Sequence, residues 1–161
     1  MVAVILVRHG HAGRKAASHA ADEMRPLSTQ GLAQVQSLVA TLADDEITEV
    51  WCSPSVRCRQ NVEPLAAAHG LHVRTSPRLS KTTHPTLLLA WLQEAGVDAP
   101  WAVCTHGEVI TALYNTARKA GLVEVATRAS TAKGALWRLG THPHRPHGPI
   151  QLRYTPPSPI R

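Results

Sequence analysis

Arg8-His9-Gly10-His11 follows directly on an apolar run, residues 2–7. Arginine offers a planar fork of donors that fits phosphate oxygens, histidine acts as nucleophile or acid/base near neutral pH, and glycine lets a backbone approach an anion closely. Two further segments have the same character: Ser53-Pro54-Ser55-Val56-Arg57 after residues 47–52, and Thr105-His106-Gly107-Glu108 after residues 101–104. Each taken singly is either a phosphate-handling loop or a solvated polar loop behind a core strand. If the three strands are neighbours, two histidines and two arginines meet in one pocket, and Glu108 is the sole carboxylate within the motifs. That is an anion site.

A short apolar run that ends in such residues reads as a buried parallel strand whose carboxyl end opens onto a crevice. After the first strand comes a polar loop, residues 13–25, and then Ser28 as N-cap of a helix to about residue 43, with Leu32, Val35, Leu38, Val39 and Leu42 at helical spacing. Residues 47–52 form a strand broken by Ser53-Pro54, and a helix from about Ser55 carries Val62, Leu65 and Ala66 as far as Gly70. The pattern continues with a short strand (71–74), a helix (86–95) closed by Gly96, a strand (101–104), a helix (109–122) and a hairpin of residues 135–139 and 150–154. Alternating strands and helices predict an α/β fold, a three-layer α/β/α arrangement with a mostly parallel sheet. One domain is expected over residues 1–155. The proline-rich stretch 156–161 is expected to be a flexible tail.

Composition bounds the function classes. With 43% hydrophobic and 17% charged residues, the 161-residue chain reads as globular, and no apolar run approaches the roughly 20 residues of a membrane span. A secretory leader is not recognisable at Met1, so a cytoplasmic location is expected. Cys52, Cys58 and Cys104 have no metal-ligand spacing and are odd in number, which favours reduced thiols. The formal charge of +6 suits an anionic partner. Its basic residues are scattered, without the interleaved aromatics that stack bases, so a small phosphorylated substrate is expected rather than nucleic acid. Neither a metal nor an organic cofactor is indicated. Three of the other histidines lie in the 142–147 turn and read as surface residues.

Arg8-His9-Gly10, Ser53 to Arg57 with Gln60, and His106-Gly107, in that order, resemble the histidine phosphatase superfamily, whose other branch is the phosphoglycerate mutases. Arg25-Pro26-Leu27-Ser28 with Gly31, Arg78-Leu79-Ser80 and Lys133-Gly134-Ala135-Leu136-Trp137 extend the likeness to SixA-type phosphohistidine phosphatases and to the histidine phosphatase domain of actinobacterial MutT-like hydrolases. The resemblance implies a phosphoglycerate mutase-like fold and a metal-independent phosphohydrolase. It implies His9 as a nucleophile forming a phosphohistidine, with Arg8, Arg57 and His106 holding the phosphate. Gly10, His11, Lys15, Thr105 and Gly107 become candidate substrate-binding positions. The departure is Lys81: members that cleave ordinary phosphate monoesters carry a glutamate there to protonate the leaving alcohol. Its loss favours phosphohistidine proteins or nucleotide-type substrates, whose leaving groups need less protonation, and leaves Glu108 as a possible replacement acid. The alternative is a non-catalytic phosphate-binding or partner domain derived from such an enzyme.

Overall fold

The computed structural model describes residues 2–94, 100–123, 132–140, 151–157 and 159. Its strands are β1 (Val2–Arg8), β2 (Glu49–Cys52), β3 (Val73–Thr75), β4 (Trp101–Thr105), β5 (Leu136–Gly140) and β6 (Gln151–Thr155). They form one sheet in the order β3-β2-β4-β1-β5-β6. The first four run parallel, and β5 and β6 add an antiparallel edge. Between the strands lie α1 (His19–Glu23), α2 (Thr29–Thr41), α3 (Val56–Ala68), α4 (Pro85–Glu94) and α5 (Gly107–Lys119), with a 3-10 turn at Pro77–Leu79.

The layering follows from the period-two alternation of the central strands. Val4 and Leu6 of β1 and Val103 of β4 face one core with Leu88 and Leu92 of α4 and Ile110 and Leu113 of α5. Ile5 and Val7, with Ala102 and Cys104, face the opposite core against Leu38 of α2 and Val62 and Leu65 of α3. Burying a leucine such as Leu65 or Leu88 contributes about 1.5–3 kcal/mol over leaving it exposed. All three cysteines are free and buried, and burial pushes the Cys52 thiol up to about 11.

Several boundaries shift for local reasons. Gly70, at φ +67°, turns α3 out of the helix, and Leu71 N donates to Ala66 O at 2.8 Å. Leu71 is thereby held in the helix exit, and β3 begins at Val73 instead of residue 71. His106 adopts extended backbone and serves as the N-cap of α5, which starts at Gly107, two residues earlier than its apolar spacing indicates. The stretch read as a polar loop contains α1, capped by Ser18, whose side chain accepts from Ala21 N at 3.2 Å. Residue 95, Gly96 and the 142–147 turn lie outside the described residues. Among the described residues no helix is long and apolar enough to cross a membrane.

Candidate active site

In the sheet order, β2, β4 and β1 are adjacent. Their carboxyl ends are stitched together by His9 N donating to Thr105 O at 3.2 Å and Ser53 N donating to Cys104 O at 3.0 Å. The three motifs therefore converge. His9 is 6% exposed, and its Nδ1 lies 2.8 Å from the carbonyl oxygen of Gly10. A carbonyl only accepts, so Nδ1 carries the proton and Nε2 keeps its lone pair. Arg57 Nε points at that lone pair from 3.3 Å. Burial pulls the His9 imidazole down to about 4, so the ring is neutral across physiological pH.

Arg57 is fully buried in the first turn of α3. Its Nη1 donates to the backbone oxygen of Asp22 at 2.5 Å, and its Nη2 donates to Asp22 Oδ2 at 3.1 Å and to His106 Nδ1 at 3.2 Å. A guanidinium only donates, so His106 Nδ1 is the acceptor, and Nε2–H is left to donate to Ser53 Oγ at 2.9 Å. The His9 and His106 rings stand edge to face with centroids 5.3 Å apart.

Arg8 lies over the start of α5. A Cβ at Gly107 would come within 2.7 Å of Arg8 Cζ, so a glycine is what admits the guanidinium there. Arg8 Nε is buried and has no acceptor among the described residues, and burial pulls the group below its ordinary value despite the charge of Glu108. An anion would supply the missing acceptor. The amino end of α5 adds its own partial positive charge.

Glu108 is the sole carboxylate within the motifs, but the site also draws one from outside them. Asp22, from α1, is 4% exposed and collects donors on both oxygens: Ala16 N and Arg25 Nε on Oδ1, Arg57 Nη2 and Lys81 Nζ on Oδ2, at 2.8–3.1 Å. Burial alone would raise its pKa, but Lys81, the Ala16 amide, Arg25 and Arg57 outweigh it and hold the carboxyl well below the usual range. Lys81 Nζ also lies 3.5 Å from Glu108 Oε1. Burial would likewise raise Glu108, yet its backbone amide, Lys81 and His106 bring it down, the opposite of what a proton donor at neutral pH needs.

Not every candidate position turns toward the pocket. The backbone groups of Gly10 are engaged within the protein, N donating to Asn61 Oδ1 at 2.9 Å and O accepting from the His9 ring, so Gly10 orients His9. His11 is tied to α2, its Nδ1 2.7 Å from Ser28 Oγ and its N donating to Gln34 Oε1 at 2.7 Å. Thr105 spends its hydroxyl on the Leu79 carbonyl at 2.7 Å, which anchors the turn that leads to Lys81. Lys15 is exposed. Asp22 and Asn61 are residues of the site that the sequence did not single out, whereas Ser53, named within the second motif, is the partner of His106 Nε2. A signal for the first existed in Ser18 as a cap followed by Asp22 three residues before Arg25, the spacing of neighbours on one helix face. Among the described residues no three His, Cys, Asp or Glu side chains gather in a way that could hold a metal ion.

Residues 4–83 match the family description "Histidine phosphatase superfamily (branch 1)". An 8-oxo-(d)GTP phosphatase of Mycolicibacterium smegmatis is 33% identical over 140 residues, 84% of this chain. The chain spans only 43% of that relative's length. In three dimensions it resembles a protein histidine phosphatase SixA complexed with tungstate, with TM-score 0.72, 24% identity and 93% of each chain covered. A mycobacterial glucosyl-3-phosphoglycerate phosphatase complexed with VO3 gives TM-score 0.68 at 18% identity, covering 98% of this chain and all of the other. These likenesses establish the shared fold, a mixed α/β sheet with helices on both faces. The ordered strand-end motifs and the family match agree, and the chain belongs to the histidine phosphatase superfamily, branch 1.

Proposed function

We propose that this chain is a phosphohydrolase that works through a phosphohistidine on His9 and acts on phosphohistidine or nucleotide-type phosphate substrates. The observation that carries the reading is the state of His9: Nδ1–H is pinned to Gly10 O, and the Nε2 lone pair faces an arginine at 3.3 Å in a buried, neutral ring. That is a nucleophile already in its reactive tautomer. The Nε2 lone pair attacks phosphorus, and the bond from phosphorus to the leaving group breaks with its electron pair going to that group. Water then attacks phosphorus, the N–P bond breaks, the pair returns to Nε2, and the proton of water leaves with phosphate or solvent. Arg8 and Arg57 are the groups placed to donate to the equatorial oxygens, where the transition-state charge spreads, and His106, which accepts from Arg57 Nη2 through Nδ1, lies beside them and orients that guanidinium.

Substrate choice rests on the missing acid. Lys81 stands in the position of the family's glutamate, and Glu108 beside it is held ionised. Leaving groups that depart without protonation are therefore favoured, because a general acid contributes about 10²–10⁴-fold only where a proton is needed. The mycolicibacterial relative is named an 8-oxo-(d)GTP phosphatase and a structural neighbour a protein histidine phosphatase, and the leaving groups of a nucleotide and of a phosphohistidine both fit that chemistry.

The test is phosphate release in excess EDTA from a phosphohistidine peptide, nucleoside triphosphates, an aryl phosphate and an alkyl phosphate. Turnover of the first three well above the alkyl ester, abolished in His9→Ala and lowered by about 10²-fold or more in His106→Ala, is expected. Undiminished release by His9→Ala, or a requirement for added metal, contradicts the mechanism. No turnover of any of the four, with phosphate still bound, favours a phosphate-binding domain without catalysis.

A further inference from the structure

We propose that Asp22 is a positioning residue for phosphoryl transfer, whose carboxylate and carbonyl hold the far edge of the Arg57 guanidinium so that its Nε and Nη2 hydrogens face the gap between His9 and His106. The inference rests on the role given above to His9 and Arg57.

Arg57 reaches the site on a long side chain with several rotatable bonds. Asp22 is its sole ion-pair partner among the described residues. Two contacts from one residue, Nη1 to the Asp22 carbonyl oxygen and Nη2 to Oδ2, fix both the position and the plane of the guanidinium. Asp22 is itself immobilised from the other side. Arg25 Nε binds its Oδ1 at 2.9 Å, and Arg25 Nη1 donates to Ala12 O at 2.6 Å, in the loop that continues from His9. Arg57 and the nucleophile loop are thus registered against one carboxylate.

The hydrogens are partitioned. Those pointing at Asp22 face away from the pocket, whereas those on Nε and Nη2 that point at His9 Nε2 and His106 Nδ1 lie where a phosphoryl oxygen would take them over. The contact with Asp22 consequently survives substrate binding. Electrostatics alone would argue against an acidic residue here, since a buried carboxylate repels an incoming dianion. What it supplies is direction, which matters in the transition state more than in the ground state.

That difference gives the experiment. Asp22→Asn removes the charge and keeps the shape. Expected on an aryl phosphate is a fall in kcat of about 10- to 100-fold while the inhibition constant for inorganic phosphate moves by less than about threefold. Introduced into an Arg57→Lys background, the same substitution should cost less than about threefold in kcat, because the group it positions has gone. Parallel loss of kcat and phosphate affinity, unchanged kcat, or an equal cost in both backgrounds overturns the proposal. If Asp22→Asn does not fold, Asp22→Glu, which keeps the ion pairs and moves the carboxylate by one methylene, is read by the same split. Absence of turnover in the unsubstituted protein overturns the phosphohydrolase reading itself, and this proposal with it.

Discussion

At the scale of single residues the chemistry turns on tautomers. Each ring of the His9–His106 pair has one nitrogen whose role is set by a partner that can only accept or only donate. Burial of His9 has a pH consequence. Its imidazole titrates near 4 in the folded protein against about 6.5 in an unfolded chain, so between those values the unfolded chain binds a proton that the native ring refuses. Stability from this group is therefore complete above pH 6.5 and falls as the pH drops toward 4. A side-chain NMR titration should place the His9 midpoint near 4, with Nδ1 as the protonated nitrogen at neutral pH. A midpoint at or above 6.5 contradicts the buried neutral nucleophile. The sequence made His9, Arg8, Arg57 and His106 legible because their types and strand-end positions carry the pattern. It did not show which way Thr105 or Gly10 points, because the partners that capture them, Leu79 and Asn61, are distant in the chain.

At the scale of elements, the close meeting of α2 with the His9 loop decides how well the nucleophile is held. Ser28 N donates to His11 O at 2.9 Å, and a Cβ built at Gly31 would lie 2.1 Å from that same oxygen. Gly31→Ala should accordingly push the loop off the helix, lowering the melting temperature and reducing kcat by about tenfold or more. Wild-type values of both would show that the approach is dispensable. The strands and longer helices were legible from apolar spacing, but the strand order was not, because it is set by non-local pairings such as β1 with β4 and β2 with β4. α1 was not legible either. Five residues with one buried side chain leave no periodicity to read, yet that one side chain is Asp22.

At the scale of the whole molecule, the fold concentrates charge at one end of three adjacent strands. Arg8, Arg25, Arg57 and Lys81 carry four positive charges against the two negative ones of Asp22 and Glu108, a surplus of two around the pocket. A phosphoryl group of about −1.5 to −2 charge matches it. Placing the two cores on opposite sheet faces leaves the carboxyl ends of β1, β2 and β4 free to carry this cluster, which no single element could assemble. The central claim is that phosphate passes through His9. Rapid quenching without acid during turnover of a radiolabelled phosphate substrate should leave label on the protein that is acid-labile and base-stable, as a phosphoramidate is, and that is absent from His9→Ala. Label that survives acid, or that persists in His9→Ala, would contradict the account.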